Sequence, residues 1–197
     1  MARSPLINPN NNIITDSGSI LWSFIKGEQL EFPIELAFIE QVSAGFIFEA
    51  VVVEALNEEF STKYPIMVKP DGINTTLSVR VPIDRGVWDA QTAYSENQMV
   101  TYNGAYYEYF GGNNIVSSIT PESSNFWEIT SASTIYVRFP MLLGSTWAQQ
   151  PVVGFPTYGF FELRVTESAV NEFPKTWKPV RGMVQLLFSP TDAVPDV

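Results

Sequence analysis

The sequence predicts an all-β protein: a β-sandwich with a small three-stranded β module inserted between two of its strands. Three observations carry this. β-branched and aromatic residues recur in short runs separated by Gly, Pro, Asn and Asp, the punctuation of strands and turns. Within the runs, apolar and polar residues alternate with period two rather than with the helical period. In the middle of the chain the composition changes abruptly: residues 87–134 hold no Lys or Arg and 5 acidic residues, yet nine aromatics.

Taken in order, strands are expected over 20–26, 30–38 and 46–56. In the second, Phe32, Ile34, Leu36 and Phe38 alternate with Glu31, Pro33, Glu35 and Ala37, giving one inner and one outer face. Pro33 has no amide donor, which places that strand at an edge or at a bulge. Residues 51–60 contain Glu, Ala and Leu suited to a helix, but Val51, Val52 and Val53 in succession favour strand followed by turn. Further strands are expected over 64–69 and 75–81, with Asp71-Gly72-Ile73-Asn74 as a hairpin turn between them. The last three are 134–139, 158–166 and 182–189, the final one preceded by a rigid turn, Trp177-Lys178-Pro179-Val180-Arg181-Gly182.

Leu77-Ser78-Val79-Arg80-Val81-Pro82 and Ile135-Tyr136-Val137-Arg138-Phe139-Pro140 resemble each other as strands ending in proline. They flank the aromatic stretch. The reading is therefore a sandwich from residues 1–86 plus 135–197 and an inserted β module over 87–134, placed at a loop tip where backbones tolerate insertion.

Composition closes many function classes. Among 197 residues there is no Cys and no His, which removes disulfides, thiolate zinc sites, cysteine nucleophiles and imidazole bases. A net charge of −10 with only 11 basic residues argues against a nucleic-acid partner. No apolar run near the N-terminus resembles an export signal, and the tract 46–56, broken by Glu49 and Glu54, is far short of the roughly 20 residues of a membrane helix. Glu28 with Glu31, and Glu58 with Glu59, are carboxylate pairs without a catalytic pattern. No calcium-loop spacing occurs. The expectation is no enzyme activity, no cofactor, no metal and no membrane insertion.

The C-terminal half carries many bulky aromatics, among them Tyr158, Phe160, Phe161 and Trp177. They are either the inner faces of two sheets or subunit contacts, which in permanent assemblies are large and apolar. Tyr158, Phe160, Trp177 and Arg181 are the candidate interface of a homo-oligomer. In that role Lys175, Lys178 and Arg181 would pair with acidic residues of a neighbour.

Within the insert, Trp88 is followed by Tyr94, then Val100-Thr101-Tyr102-Asn103-Gly104, Tyr107, Pro121 and Trp127. This pattern resembles the small chitin- and cellulose-binding modules of carbohydrate-binding families 5 and 12. It departs from them at Glu96-Asn97-Gln98, where those families have Gly-Asp. Asn103-Gly104 suits a two-residue hairpin turn. The resemblance implies an aromatic platform for a host-surface glycan, for which Tyr106, Tyr109, Phe110 and Asn113 are the candidates; the alternative makes these rings a miniature core or a contact surface. The same pattern also recurs as a spacer in phage tail and fibre proteins.

A second resemblance covers the flanks. Gly27-Glu28-Gln29-Leu30-Glu31-Phe32-Pro33-Ile34 with Phe46-Ile47-Phe48-Glu49-Ala50-Val51, and the stretches 158–165 and 177–191, resemble strand pairs of virion proteins of tailed phages, particularly short-tailed phages of marine cyanobacteria. This implies a noncatalytic virion structural protein made in the host cytoplasm. Its expected place is the phage tail, as a ring, adaptor or fibre-anchoring subunit that binds other virion tail proteins. The alternatives are a glycan-binding host-receptor module and a capsid decoration protein.

Overall fold

In the computed structural model, the residues described are 13–14, 20–25, 30–36, 39–42, 45–58, 67–116, 118–140, 143, 147–148, 150–152, 156–168 and 175–187. Among the described residues the expected strands form; residues 26, 37–38, 64–66 and 188–189 of those expected lie outside the described residues. In chain order the strands are β1 (Ile13–Ile14), β2 (Ile20–Ile25), β3 (Leu30–Glu35), β4 (Phe46–Glu58), β5 (Met67–Arg80), β6 (Ile83–Val87), β7 (Ala93–Tyr94), β8 (Gln98–Tyr102), β9 (Ala105–Tyr109), β10 (Ile115–Val116), β11 (Trp127–Thr130), β12 (Thr134–Phe139), β13 (Thr157–Glu167) and β14 (Thr176–Leu187). The fold is all-β and sandwich-like. A short 3-10 turn, Pro121–Ser123, lies between β10 and β11.

Eight strands join in the order β1-β2-β14-β13-β4-β5-β12-β3. All neighbours are antiparallel except β14 and β2, which run parallel with Gly182 opposite Ile20 and Leu187 opposite Ile25. In a flat sheet β12 would lie three strand spacings from β13, about 14 Å. The Phe139 and Phe161 rings on those two strands are nevertheless 5.9 Å apart. The sheet therefore curls so that β12 and β3 lie over β13, β4 and β14, and the core fills the space between. Phe32, Ile34 and Leu36 point inward while Pro33 and Glu35 are exposed. β3 is an edge strand, as Pro33 requires; Phe38 lies outside the described residues. On β13, Phe161, Leu163 and Val165 are buried, and the alternate residues Tyr158, Phe160, Glu162 and Arg164 face outward. A Cβ on Gly159 would fall 2.6 Å from both Trp147 and Val52, so only glycine admits the buried indole against this backbone.

Two expected turns are absent. Asp71-Gly72-Ile73-Asn74 lies within β5, where Val53 pairs with Asn74 and Ala55 with Pro70. Asp71, Gly72 and Ile73 thus stand opposite the single residue Glu54. The segments on either side pair with the same strand, so the turn-forming residues are absorbed as a bulge instead of reversing the chain. Likewise, residues 177–182 form no turn: β14 runs through them, with Leu163 opposite Val180 and Val165 opposite Trp177. The extra residue falls at Lys178-Pro179, where the proline's missing donor costs the ladder nothing.

Candidate functional site

β5 and β12 are neighbours, with Arg80 opposite Tyr136, so the chain leaves the large sheet and returns to it at one place. Between these points a second sheet forms in the order β11-β9-β8-β6, with a two-stranded ribbon, β10-β7, beside it. Three antiparallel strands match the expectation. β6 adds a fourth, running parallel to β8 with Ile83 opposite Gln98, because the exit from β5 continues along the small sheet instead of looping away. The hairpin between β8 and β9 turns at Asn103 and Gly104, whose φ angles of 49° and 79° are those of a type I′ turn.

The small sheet has its own core, made of rings. Tyr109 and Trp127 are 4.8 Å apart by centroid, Tyr94 meets Trp127 edge-on at 5.0 Å, and Trp88 meets Tyr102 edge-on at 5.4 Å. Val100 and Tyr107 complete the cluster. Cross-strand pairing places Trp127 with Tyr109, and Tyr107 with Val100, on this face; Glu108 with Met99, and Tyr106 with Thr101, occupy the other.

That alternation corrects the glycan platform. Tyr106 and Tyr109 stand on opposite faces of β9, and Tyr109 is fully buried among Tyr94, Phe126 and Trp127. It presents no ring to a ligand. Tyr106 and Phe110 are half-buried and Asn113 is exposed. The exposed ring is Phe126, 54% accessible, whose carbonyl accepts a hydrogen bond from the Phe110 amide. Gly111 marks it in the sequence: a Cβ there would press on Phe126 and Tyr109.

Of the four candidate interface residues, Tyr158 and Phe160 lie half-buried on the outer face of the large sheet, Phe160 between Met183 and Val53. Gln185 donates to the Tyr158 hydroxyl at 3.3 Å and accepts from Ser23 at 2.8 Å. Arg181 is paired within its own chain, 3.2 Å from Glu162, in a solvent-facing ladder that continues through Arg164 to Glu49. Its partner is thus intramolecular. Trp177 lies on β14 opposite Val165, and its side chain lies outside the described residues.

The feature that sequence reasoning missed lies where the two sheets meet. Glu108, on β9 and fully buried, forms an ion pair with Arg80 of β5. Arg80 also meets Glu31 of β3 at 3.0 and 3.1 Å and donates to Asn97 Oδ1 at 2.5 Å. Its guanidinium lies 3.9 Å from the centre of the Tyr136 ring. Burial works against the Arg80 charge, but the hydrogen bonds and charges of Glu31 and Glu108 prevail and raise its pKa. The Tyr136 phenol is driven up by burial first and by its hydrogen bond to Glu108 second. Burial also raises Tyr109. The junction thus brings a fully buried carboxylate and a guanidinium together between the two sheets.

Most of the exposed large apolar side chains lie on the small sheet, the ribbon beside it and the loops between them: seven of the eleven among the described residues fall within 83–130, including Val87 (78%), Ile129 (74%), Val116 and Phe126. Among the described residues, no group of His, Cys, Asp and Glu has the geometry to hold a metal, and no helix is long and apolar enough to cross a membrane. No family model matches the chain, and no curated protein matches it.

Proposed function

We propose that this chain is a noncatalytic structural subunit of a phage virion, acting in the tail as a ring, adaptor or fibre-anchoring component, and that its inserted module meets another virion protein. In this reading residues 1–86 and 135–197 are the sandwich, and 87–134 are the module. The observation that carries it is the number of exposed large apolar side chains between the start of β6 and the end of β11: among the described residues, seven of the eleven lie within 83–130. Apolar residues exposed in such numbers on a small module favour protein contact. The burial of Tyr109 weighs against the glycan alternative, because stacking needs an open ring face.

Mass spectrometry of purified particles, fractionated into tails and capsids, tests the proposal. The chain is expected in the tail fraction at more than one copy per particle. Recovery with capsids alone would favour a decoration protein. A strictly monomeric chain absent from particles would remove the virion reading.

A further inference from the structure

We infer that the Arg80 node is an orientation lock, which fixes the small sheet at one angle to the large one so that the two move as a single body. This holds whichever partner the insert meets. Two backbone connections at one place would by themselves make a hinge, since residues 81–82 and 131–133 are short linkers between separately cored sheets. Five groups close it. Arg80 leaves the large sheet, ion-paired to Glu31 of that sheet on one side and to the buried Glu108 of the small sheet on the other. Tyr136 stacks beneath the guanidinium, bonds Glu108 and lies 3.5 Å from Thr130 of β11. A swing about the linkers would separate the buried Glu108 from its cation, a strongly unfavourable step.

Asn97 is the fifth, and it combines a glycine-like backbone with a side chain that bonds the node. Its φ is 71°, in the left-handed region where glycine sits without strain. The asparagine amide does what glycine could not: Oδ1 accepts from Arg80, and Nδ2 donates to the Val81 carbonyl at 3.3 Å. Its backbone ties the same corner, accepting from the Ile83 amide at 2.8 Å and donating to the Tyr109 carbonyl at 3.2 Å. Elsewhere along the junction, Gln41 donates to Asp84 at 2.5 Å, and the Leu36 and Val42 amides bond the carbonyls of Ser133 and Ala132. The lock is thus polar and two-sided. Polar contacts that converge on one buried charge can specify one arrangement among several that apolar packing would allow.

The chain has no cysteine, so spin labels at Asn74→Cys on β5 and Ile129→Cys on β11, both exposed positions, one on each sheet, report only their mutual distance. Electron–electron resonance should give one narrow distance distribution in the otherwise unchanged protein. The paired variant Arg80→Met with Glu108→Gln, which leaves no buried charge unpartnered, should broaden it or add a second distance. Asn97→Gly, which keeps the backbone geometry and removes only the clasp, should broaden it less. Near-ultraviolet circular dichroism of the aromatic cluster must stay unchanged in both. A distribution that stays narrow and centred at the same distance in the paired variant would overturn the inference. So would loss of the aromatic signal in Asn97→Gly, since the residue would then serve folding and not orientation.

Discussion

The large and small sheets reach closed cores by different routes. The large one uses strands of up to 14 residues, on which Val, Leu and Ile alternate with outward polar residues, and its core is mainly aliphatic. The small one has strands of five residues or fewer and fills its interior with Tyr94, Tyr107, Tyr109 and Trp127. Short strands offer few inward positions, so each must carry a large side chain; a ring buries roughly 150–250 Å² and packs edge-on with its neighbours. An aromatic count therefore says little about ligand binding until the volume to be filled is known. Nine aromatics in 87–134 resemble a binding surface, yet most of them line the interior or its margin.

The two sheets depend on each other most at their junction. Glu108→Ala removes a fully buried carboxylate and leaves Arg80 without its small-sheet partner, so it should lower stability by about 3–5 kcal/mol in denaturant titration. A loss no larger than that of an exposed pair would mean that the two sheets do not rely on this contact.

Alkaline titration separates the junction and the small core from the rest of the molecule. Tyr136 at the junction and Tyr109 in the small core both have raised pKa values, so the folded protein keeps these phenols neutral when the unfolded chain ionises near pH 10. The stability they contribute is fully present below pH 10 and is lost as the pH rises above it, at up to about 1.4 kcal/mol per pH unit and phenol. Tyrosinate absorbance followed against pH should show two late-titrating groups that ionise only as the fold opens. Ionisation of all eight tyrosines together near pH 10 in the native protein would contradict this.

How much of this is legible in the sequence follows the same physics. Alternation along Phe32, Ile34 and Leu36, the edge position of Pro33, and the three valines that settle β4 are local signals, and the fold class follows from them. At 71–74 and 177–182 the residues suit a turn and a bulge equally, and only the partner strand distinguishes the two. Period two along β9 is itself enough to put Tyr106 and Tyr109 on opposite faces, so a shared platform for those two rings conflicts with the strand that carries them. The Arg80 node is not legible. Arg80, Glu31, Glu108 and Tyr136 are distant in sequence, and nothing in a lone glutamate between two tyrosines announces that it will be buried.

The smallest effect belongs to the outer face of the large sheet. Arg181→Ala removes a solvent-exposed partner of Glu162 and should change stability by less than about 1 kcal/mol, with the effect shrinking further in salt. A larger loss would show that this ladder, and not only the cores, holds the large sheet together.

Whether the molecule is two separately cored sheets joined by a polar lock is decided by amide hydrogen exchange on Trp127→Ala. The substitution empties the centre of the aromatic cluster and touches nothing in the aliphatic core. Protection should fall sharply in β8, β9 and β11 while the amides of β4 and β13 keep theirs. Equal loss of protection in both sheets would contradict this arrangement, because a single cooperative core would then run through the whole molecule.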